Sequence, residues 1–237
     1  MPKSVDSVHQ PLLVVKELSH TTPDNRLVLD KVSLTVQPGQ FIVITGPSGG
    51  GKSTFMRLLV RLEHIQSGSV AFRGRELTTL DAPALRTKMV LLQQTPIISQ
   101  RTVRENLLMA YGFQTNRSLV RPSSEQLREQ LDHLLLHDVE LKAPAGSLSV
   151  GQRQRLCLIR ALLLKPEVLL LDEPVSALDP VSRKVVEKVT EDLNKGGLTI
   201  IMISHAHFVP EQVTVRRLAL DSGSFRESNC HLEELPR

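Results

Sequence analysis

The apolar run Phe41-Ile42-Val43-Ile44-Thr45 reads as a buried strand and passes without a spacer into Gly46-Pro47-Ser48-Gly49-Gly50-Gly51-Lys52-Ser53-Thr54. Beyond that turn, Phe55, Leu58, Leu59 and Leu62 fall at i, i+3, i+4 and i+7, the stripe of an amphipathic helix. Residues 46–53 fit GxxxxGK followed by Ser or Thr, the P-loop pattern, in the order strand, glycine loop, helix that its chemistry requires. Glycines let backbone N–H groups wrap a polyphosphate, Lys52 brings a cation to its β and γ groups, and the Ser53 hydroxyl can ligate Mg²⁺. The element belongs at the carboxyl edge of a mostly parallel sheet, so it constrains the whole chain.

The remaining apolar runs supply such a sheet. Residues 12–15, 32–36 and 69–72 read as short strands, VLLL at 168–171 as a buried one, and TIIMIS at 199–204 as another. Helices are expected over about 150–164 and after Asp179, an N-cap followed by Pro180 at the first helical position. Apolar strands alternating with amphipathic helices predict an α/β fold with both sheet faces covered. Residues 95–147 differ in character. Capping boxes pair Thr102 with Glu105 and Ser123 with Gln126, and Leu127, Leu131, Leu134 and Leu135 form a helical stripe, which predicts an inserted helical subdomain.

Asp172 and Glu173 end the VLLL strand, where a carboxylate can reach a metal at the sheet edge. Adjacent residues on a strand face opposite sides, so the pair can divide its work. Asp172 would hold Mg²⁺ through water, and Glu173 would polarise the attacking water.

Composition narrows the partners. With 237 residues, 41% hydrophobic, the chain can build one large domain. Its net charge of +4 is scattered, and with one Tyr, no Trp and six Phe it matches a base-stacking nucleic-acid surface poorly. Cys157 and Cys230 stand far apart, which supports neither a zinc site nor a disulfide and fits a reducing cytoplasm. The N-terminal MPKSVDSVHQP lacks a signal-peptide core, and no apolar run reaches membrane-spanning length. A cytoplasmic chain that meets a membrane only through a partner is expected.

The stretch LSVGQRQR, 148–155, opens an apolar helix with polar residues and no nucleophile beside them. A helix start offers free N–H groups and a positive dipole end, so an anion can dock there. From about Leu12 to Ser222 the chain resembles the nucleotide-binding subunits of ATP-binding cassette (ABC) transporters. The motifs come in that family's order: GPSGGGKS, QTP at 94–96, LSVGQ at 148–152, LLLDEP at 169–174, SALD at 176–179 and SHA at 204–206.

The resemblance implies a P-loop ATPase of the ABC type, with an antiparallel β portion beside the parallel core. Core segments are expected at 12–94 and 165–222, the helical subdomain at 95–164 and a tail at 223–237. ATP and Mg²⁺ are the implied cofactors. Ser53, Gln94 and Asp172 would serve the metal, Gln94 would also sense the attacking water, His205 would contact the γ-phosphate, and Glu173 would act as general base. Ser149, Gly151 and Gln152 of one copy would close over the ATP of a second copy, with Asp179 at the dimer interface. A separate integral membrane permease is the further partner, seated at the cytoplasmic face of the inner membrane, and no nucleic acid is expected. The motif string is most similar to a small two-component iron-efflux system. An ABC-type ATPase acting on nucleic acid or the translation machinery is the alternative; a binding-only switch is disfavoured because Lys52, Asp172, Glu173 and His205 are all present.

Two departures from the family pattern carry expectations of their own. Val150 replaces a glycine of LSGGQ, and a β-branched residue disfavours positive φ. Around LSHTTPDNR the aromatic that normally stacks on adenine is missing, with only His20 and Thr22 there; His20 could stack on the base, but an exposed loop position is expected for it, and with it weak base selectivity.

Overall fold

The computed structural model describes residues 10–176, 178–204, 210 and 212–228. The first half contains strands β1 (Leu13–Thr21), β2 (Leu27–Val36) and β3 (Phe41–Thr45), helix α1 (Lys52–Leu59), strands β4 (Ser67–Phe72) and β5 (Arg75–Glu76), helix α2 (Ala82–Lys88) and strand β6 (Met89–Leu92). Helices α3 (Val103–Leu107), α4 (Ser124–His133) and α5 (Val150–Leu162) follow. Strand β7 (Val168–Asp172), helix α6 (Pro180–Lys195) and strands β8 (Thr199–Ile203), β9 (Val215–Asp221) and β10 (Ser224–Glu227) complete it.

Two sheets result. One is antiparallel, in the order β2-β1-β4-β5; the other runs β10-β9-β3-β8-β7-β6, parallel throughout except for the β9–β10 hairpin. Strict alternation divides the parallel strands between two cores. Ile42, Ile44, Leu170, Ile201 and Ile203 face α1 and the antiparallel sheet. Phe41, Val43, Leu169, Leu171, Ile200 and Met202 face α3, α4, α5 and α6. Because both faces are covered, β7 and β8 are buried at every position, as the continuous apolar runs predict.

The registers bring the strand ends together. Ile44 pairs with Ile203 and Asp172 also pairs with Ile203, so the P-loop, the two acids and Ser204 leave the sheet at one edge. Residues 224–227, expected within a tail, instead form β10. Ser222 and Gly223, at φ 49° and 78°, make a tight two-residue turn whose twist suits a hairpin.

Helices α1 and α4 stop earlier than their leucine stripes suggest. Arg61 and Leu135 adopt left-handed φ of 54° and 51°. The following N–H groups reach back, Leu62 N–H to Arg57 at 2.8 Å and Leu136 N–H to Leu131 at 2.8 Å, closing Schellman caps. Leu62 and Leu135 are thereby turned out to solvent, both 47% exposed. Both expected capping boxes are present, at Thr102 with Glu105 and at Ser123 with Gln126.

His20 is a correction. It lies in β1, opposite Leu29, and is buried. Glu17 takes a left-handed φ of 46° within a run of register shifts, which resets the strand's alternation and turns His20 inward. Cys157 is a free, buried thiol, and burial pushes its ionisation up; Cys230 lies outside the described residues.

The segment after Gln94 is held by a fully buried amide. Asn106 accepts from the Ser99 N–H at 2.9 Å and donates to the carbonyls of Ser99, Arg101 and Thr102 at 3.2, 3.4 and 3.0 Å. Asn106→Leu would strand these buried groups, so a loss of about 3 kcal/mol is expected in chemical denaturation. A loss below about 0.5 kcal/mol would show that water replaces the amide.

Candidate active site

The P-loop forms because three glycines accept what other residues resist. Gly46, Gly49 and Gly51 have φ of 142°, 71° and 92°. Gly46 is the tightest, since a Cβ there would lie 2.2 Å from the Leu220 carbonyl oxygen of β9. The loop folds back so that the Lys52 ammonium donates to the carbonyls of Gly46 at 2.9 Å and Pro47 at 2.8 Å. Burial pulls the Lys52 ionisation down, while the Glu173 and Asp172 carboxylates hold it up. A buried cation facing two anions and parked on loop carbonyls is poised for a polyphosphate.

Asp172, the last residue of β7, is buried, which pushes its carboxyl above the usual range against a hydrogen bond from Ser53. Glu173 differs from the expected strand alternation. It has left β7 with a left-handed φ of 49°, so a turn rather than a pleat sets its direction. The two acids still part company: Asp172 meets Ser53, whereas the Glu173 carboxylate accepts from the Gln94 amide at 2.9 Å. That amide also lies 3.4 Å from the Ser176 hydroxyl, a neighbour not anticipated from sequence.

A cavity of about 470 Å³ joins these groups. Ser48, Gly49, Gly50, Gly51, Lys52, Ser53 and Thr54 form its floor, with Gln94 and Glu173 beside them. Thr22, Asp24, Arg26 and Val28, from the β1–β2 hairpin of the other sheet, form a wall; the resemblance pointed to this segment through LSHTTPDNR, but to His20 and Thr22 rather than to Asp24, Arg26 or Val28. A slightly larger opening, about 510 Å³, lies near the amino ends of β3 and β8 around Pro38 and Thr199. Its Arg73 and Glu167 pair with each other, so it offers no free charge to a ligand. His205 lies outside the described residues; the chain is followed to Ser204, whose N–H donates to Ile44 at 3.2 Å.

Ser149, Gly151, Gln152 and Asp179 do not line the cavity. They sit at the starts of α5 and α6, which touch: a Cβ on Gly151 would lie 3.4 Å from Leu178 and 3.5 Å from the Ser182 hydroxyl. The polar side chains of LSVGQ are one another's partners. Gln152 N–H donates to the Ser149 hydroxyl at 3.2 Å, and Ser149 N–H donates to the Gln152 side-chain oxygen at 2.9 Å, a third capping box whose S-x-x-Q spacing was legible. Arg153 makes the first intrahelical bond, to Ser149, so the N–H groups of Val150 and Gly151 precede the helix ladder. Val150 is the first helical residue and has no positive φ, which removes the strain expected of a β-branched residue there. Asp179 caps α6 by accepting from Val181 and Ser182 N–H at 3.0 Å each, and the Ser182 hydroxyl, together with those N–H groups, holds its carboxyl below the usual range.

Farther along α5, Arg160 donates to the Ile97 carbonyl at 2.9 Å and the Cys157 thiol approaches the same oxygen at 3.7 Å. The helix that carries Ser149 is thus tied to the segment that follows Gln94. No helix among the described residues is long and apolar enough to cross a membrane.

A family model described as ABC transporter matches residues 29–176. The chain is 38% identical over 203 residues to ABC transporter I family member 17 of Arabidopsis thaliana, covering 85% of this chain and 76% of that one. It is 38% identical over 227 residues to the phosphonates import ATP-binding protein PhnC of Bdellovibrio bacteriovorus, covering 91% and 87%. With the glutamine transport ATP-binding protein GlnQ of Escherichia coli it shares 36% over 207 residues, 84% of each chain. Among solved structures, the ATP-binding cassette MJ0796, determined as a dimer bound to ADP and Pi, superposes with a TM-score of 0.76 at 26% identity, covering 91% of this chain and 97% of that one. A family match over more than half its length, with relatives this similar along nearly all of it, makes this chain a member of the ABC transporter family, one of its ATP-binding, ATP-hydrolysing subunits.

Proposed function

We propose that two copies of this chain close head to tail over two ATP molecules and drive a separate membrane permease from its cytoplasmic side. The observation that carries this reading is the separation of the site into halves. The cavity is lined by Lys52 and Glu173, with Asp172 hydrogen-bonded to the lining Ser53, while the start of α5 leaves the Val150 and Gly151 N–H groups outside the cavity lining, beside the start of α6, whose own first N–H groups are taken by Asp179. A second copy would bring the halves together, and MJ0796, which superposes on this chain, was solved as a dimer.

In the cavity half, Glu173 takes the proton of the attacking water, Gln94 orients that carboxylate, and His205 contacts the γ-phosphate. Mg²⁺ fits the donors present: a hydroxyl at Ser53, a carboxylate at Asp172 and the Gln94 amide, all hard oxygens or their neighbours. The described residues hold no cluster of three His, Cys, Asp or Glu, so the ion would arrive with the nucleotide, whose phosphates complete its shell. Residues 95–164 would move as a lobe against 12–94 and 165–222.

For cargo, the motif string similar to iron-efflux systems stands against relatives named for phosphonate import and glutamine transport, neither of which names a metal. Both relatives match most of this chain and support transport of a small solute, and the phosphonate relative supports import. A nucleic-acid role draws no support from them.

The test is light scattering on Glu173→Gln protein with and without MgATP. A monomer that becomes a dimer only with ATP is expected. An unchanged mass with nucleotide bound would overturn the paired-site reading.

A further inference from the structure

The hairpin wall of the cavity ends in a cation with no assigned role. The β1–β2 turn is closed by Thr22 N–H and the Thr22 hydroxyl, which donate to the Arg26 carbonyl at 2.9 and 3.0 Å, and by Asn25 N–H, which donates to Thr22 at 2.9 Å. Asn25, at φ 60°, completes the turn. Arg26 is therefore fixed at its backbone while its side chain is exposed. The guanidinium leans over the P-loop: a Cβ on Gly49 would lie 3.5 and 3.8 Å from its two terminal nitrogens. Among the described residues it makes no hydrogen bond or ion pair, and Asp24 is close enough to feel its charge.

The phosphate end of the cavity is already furnished by Lys52, Ser53 and the loop N–H groups. The hairpin end is what remains for the base, and among the described residues its wall contains Thr22, Asp24, Arg26 and Val28 but no aromatic side chain. Phe55 packs edge-on against Phe225 in the core, and the exposed Phe113 lines a different groove. The one extended planar group on that wall is the Arg26 guanidinium. A guanidinium is weakly hydrated, stacks on aromatic planes, and adds a cation–π attraction.

We infer that Arg26 is the platform on which the nucleotide base stacks, in place of an aromatic ring, and that this makes the site tolerant of base identity. The inference rests on the ATP-binding reading of the P-loop. Every base has a π face, so a stacking platform without a paired hydrogen-bond edge discriminates weakly.

The experiment is calorimetric titration of the full chain with ADP, GDP and inorganic pyrophosphate, each with Mg²⁺, for the parent protein and for Arg26→Ala, Arg26→Lys and Arg26→Trp. ADP and GDP are expected to bind the parent within a few-fold of each other. Arg26→Ala should weaken both by about tenfold and leave pyrophosphate nearly unchanged. Arg26→Trp should restore binding, and Arg26→Lys, which keeps the charge but loses the plane, should not. Equal losses for ADP and pyrophosphate, or full rescue by Lys, would make Arg26 a phosphate ligand and overturn the inference. No loss in Arg26→Ala would leave the side chain without a role and overturn it too. A parent that binds neither ADP nor pyrophosphate would instead refute the P-loop reading beneath it.

Discussion

Glu173→Gln protein will bind ATP at least as tightly as its parent and turn it over about 10³-fold more slowly. The amide is isosteric with the carboxylate, and its oxygen still accepts from Gln94, so the 2.9 Å contact and the local turn survive. The change removes the capacity to take a proton from water. It also removes one of the two negative charges that face Lys52 and would repel a polyphosphate. Affinity should therefore hold or rise while the rate collapses. Direct nucleotide binding and phosphate release on the same sample check both halves; near-normal turnover would show that another group accepts the proton.

Gly46→Ala is expected to be the most damaging single methyl in the site. The new carbon would lie 2.2 Å from the Leu220 carbonyl, and Leu220 is fully buried and paired with Phe225 in the β9–β10 hairpin. Neither strand can give way, so the loop must, and its φ of 142° adds backbone strain. Overpacking and strain together are worth about 3 kcal/mol or more. The displaced Gly46 carbonyl also releases the Lys52 ammonium, so nucleotide affinity should fall at least about 100-fold, a phosphate-binding cation having lost its seat. Gly112→Ala, where a Cβ meets nothing within 4 Å, is the matched control and should be silent in denaturation and binding alike.

What the sequence disclosed follows from where the information sits along the chain. β3, β7 and β8 were legible because they are covered on both faces, and the P-loop and the Asp172–Glu173 pair because their chemistry is contiguous. β9 escaped notice because Arg216 and Arg217 interrupt its apolar run; Arg216 turns outward to pair with Glu227 of β10. The helix ends at Arg61 and Leu135 carry no residue-type signal for a left-handed cap, whereas Gly197, at φ 93° after α6, does. His20 was misplaced because the bulge at Glu17 inverts the strand's phase. Arg26 and Asp24 reach the cavity from another sheet; the resemblance flagged their segment, LSHTTPDNR, but residue type alone did not single them out within it. The backbone strain expected at Val150 is absent because the residue is helical.

The grip of α5 on Ile97 gives this site a lever. Arg160 lies eleven positions after Ser149, about 16 Å along a rigid helix. Only two residues of backbone lie between Ile97 and Gln94, whose amide rests on Glu173. Under the proposed pairing, a shift of the Gln94 segment and a tilt of α5 would be felt by each other through a single backbone oxygen, linking the Glu173 corner to the face offered to a second copy.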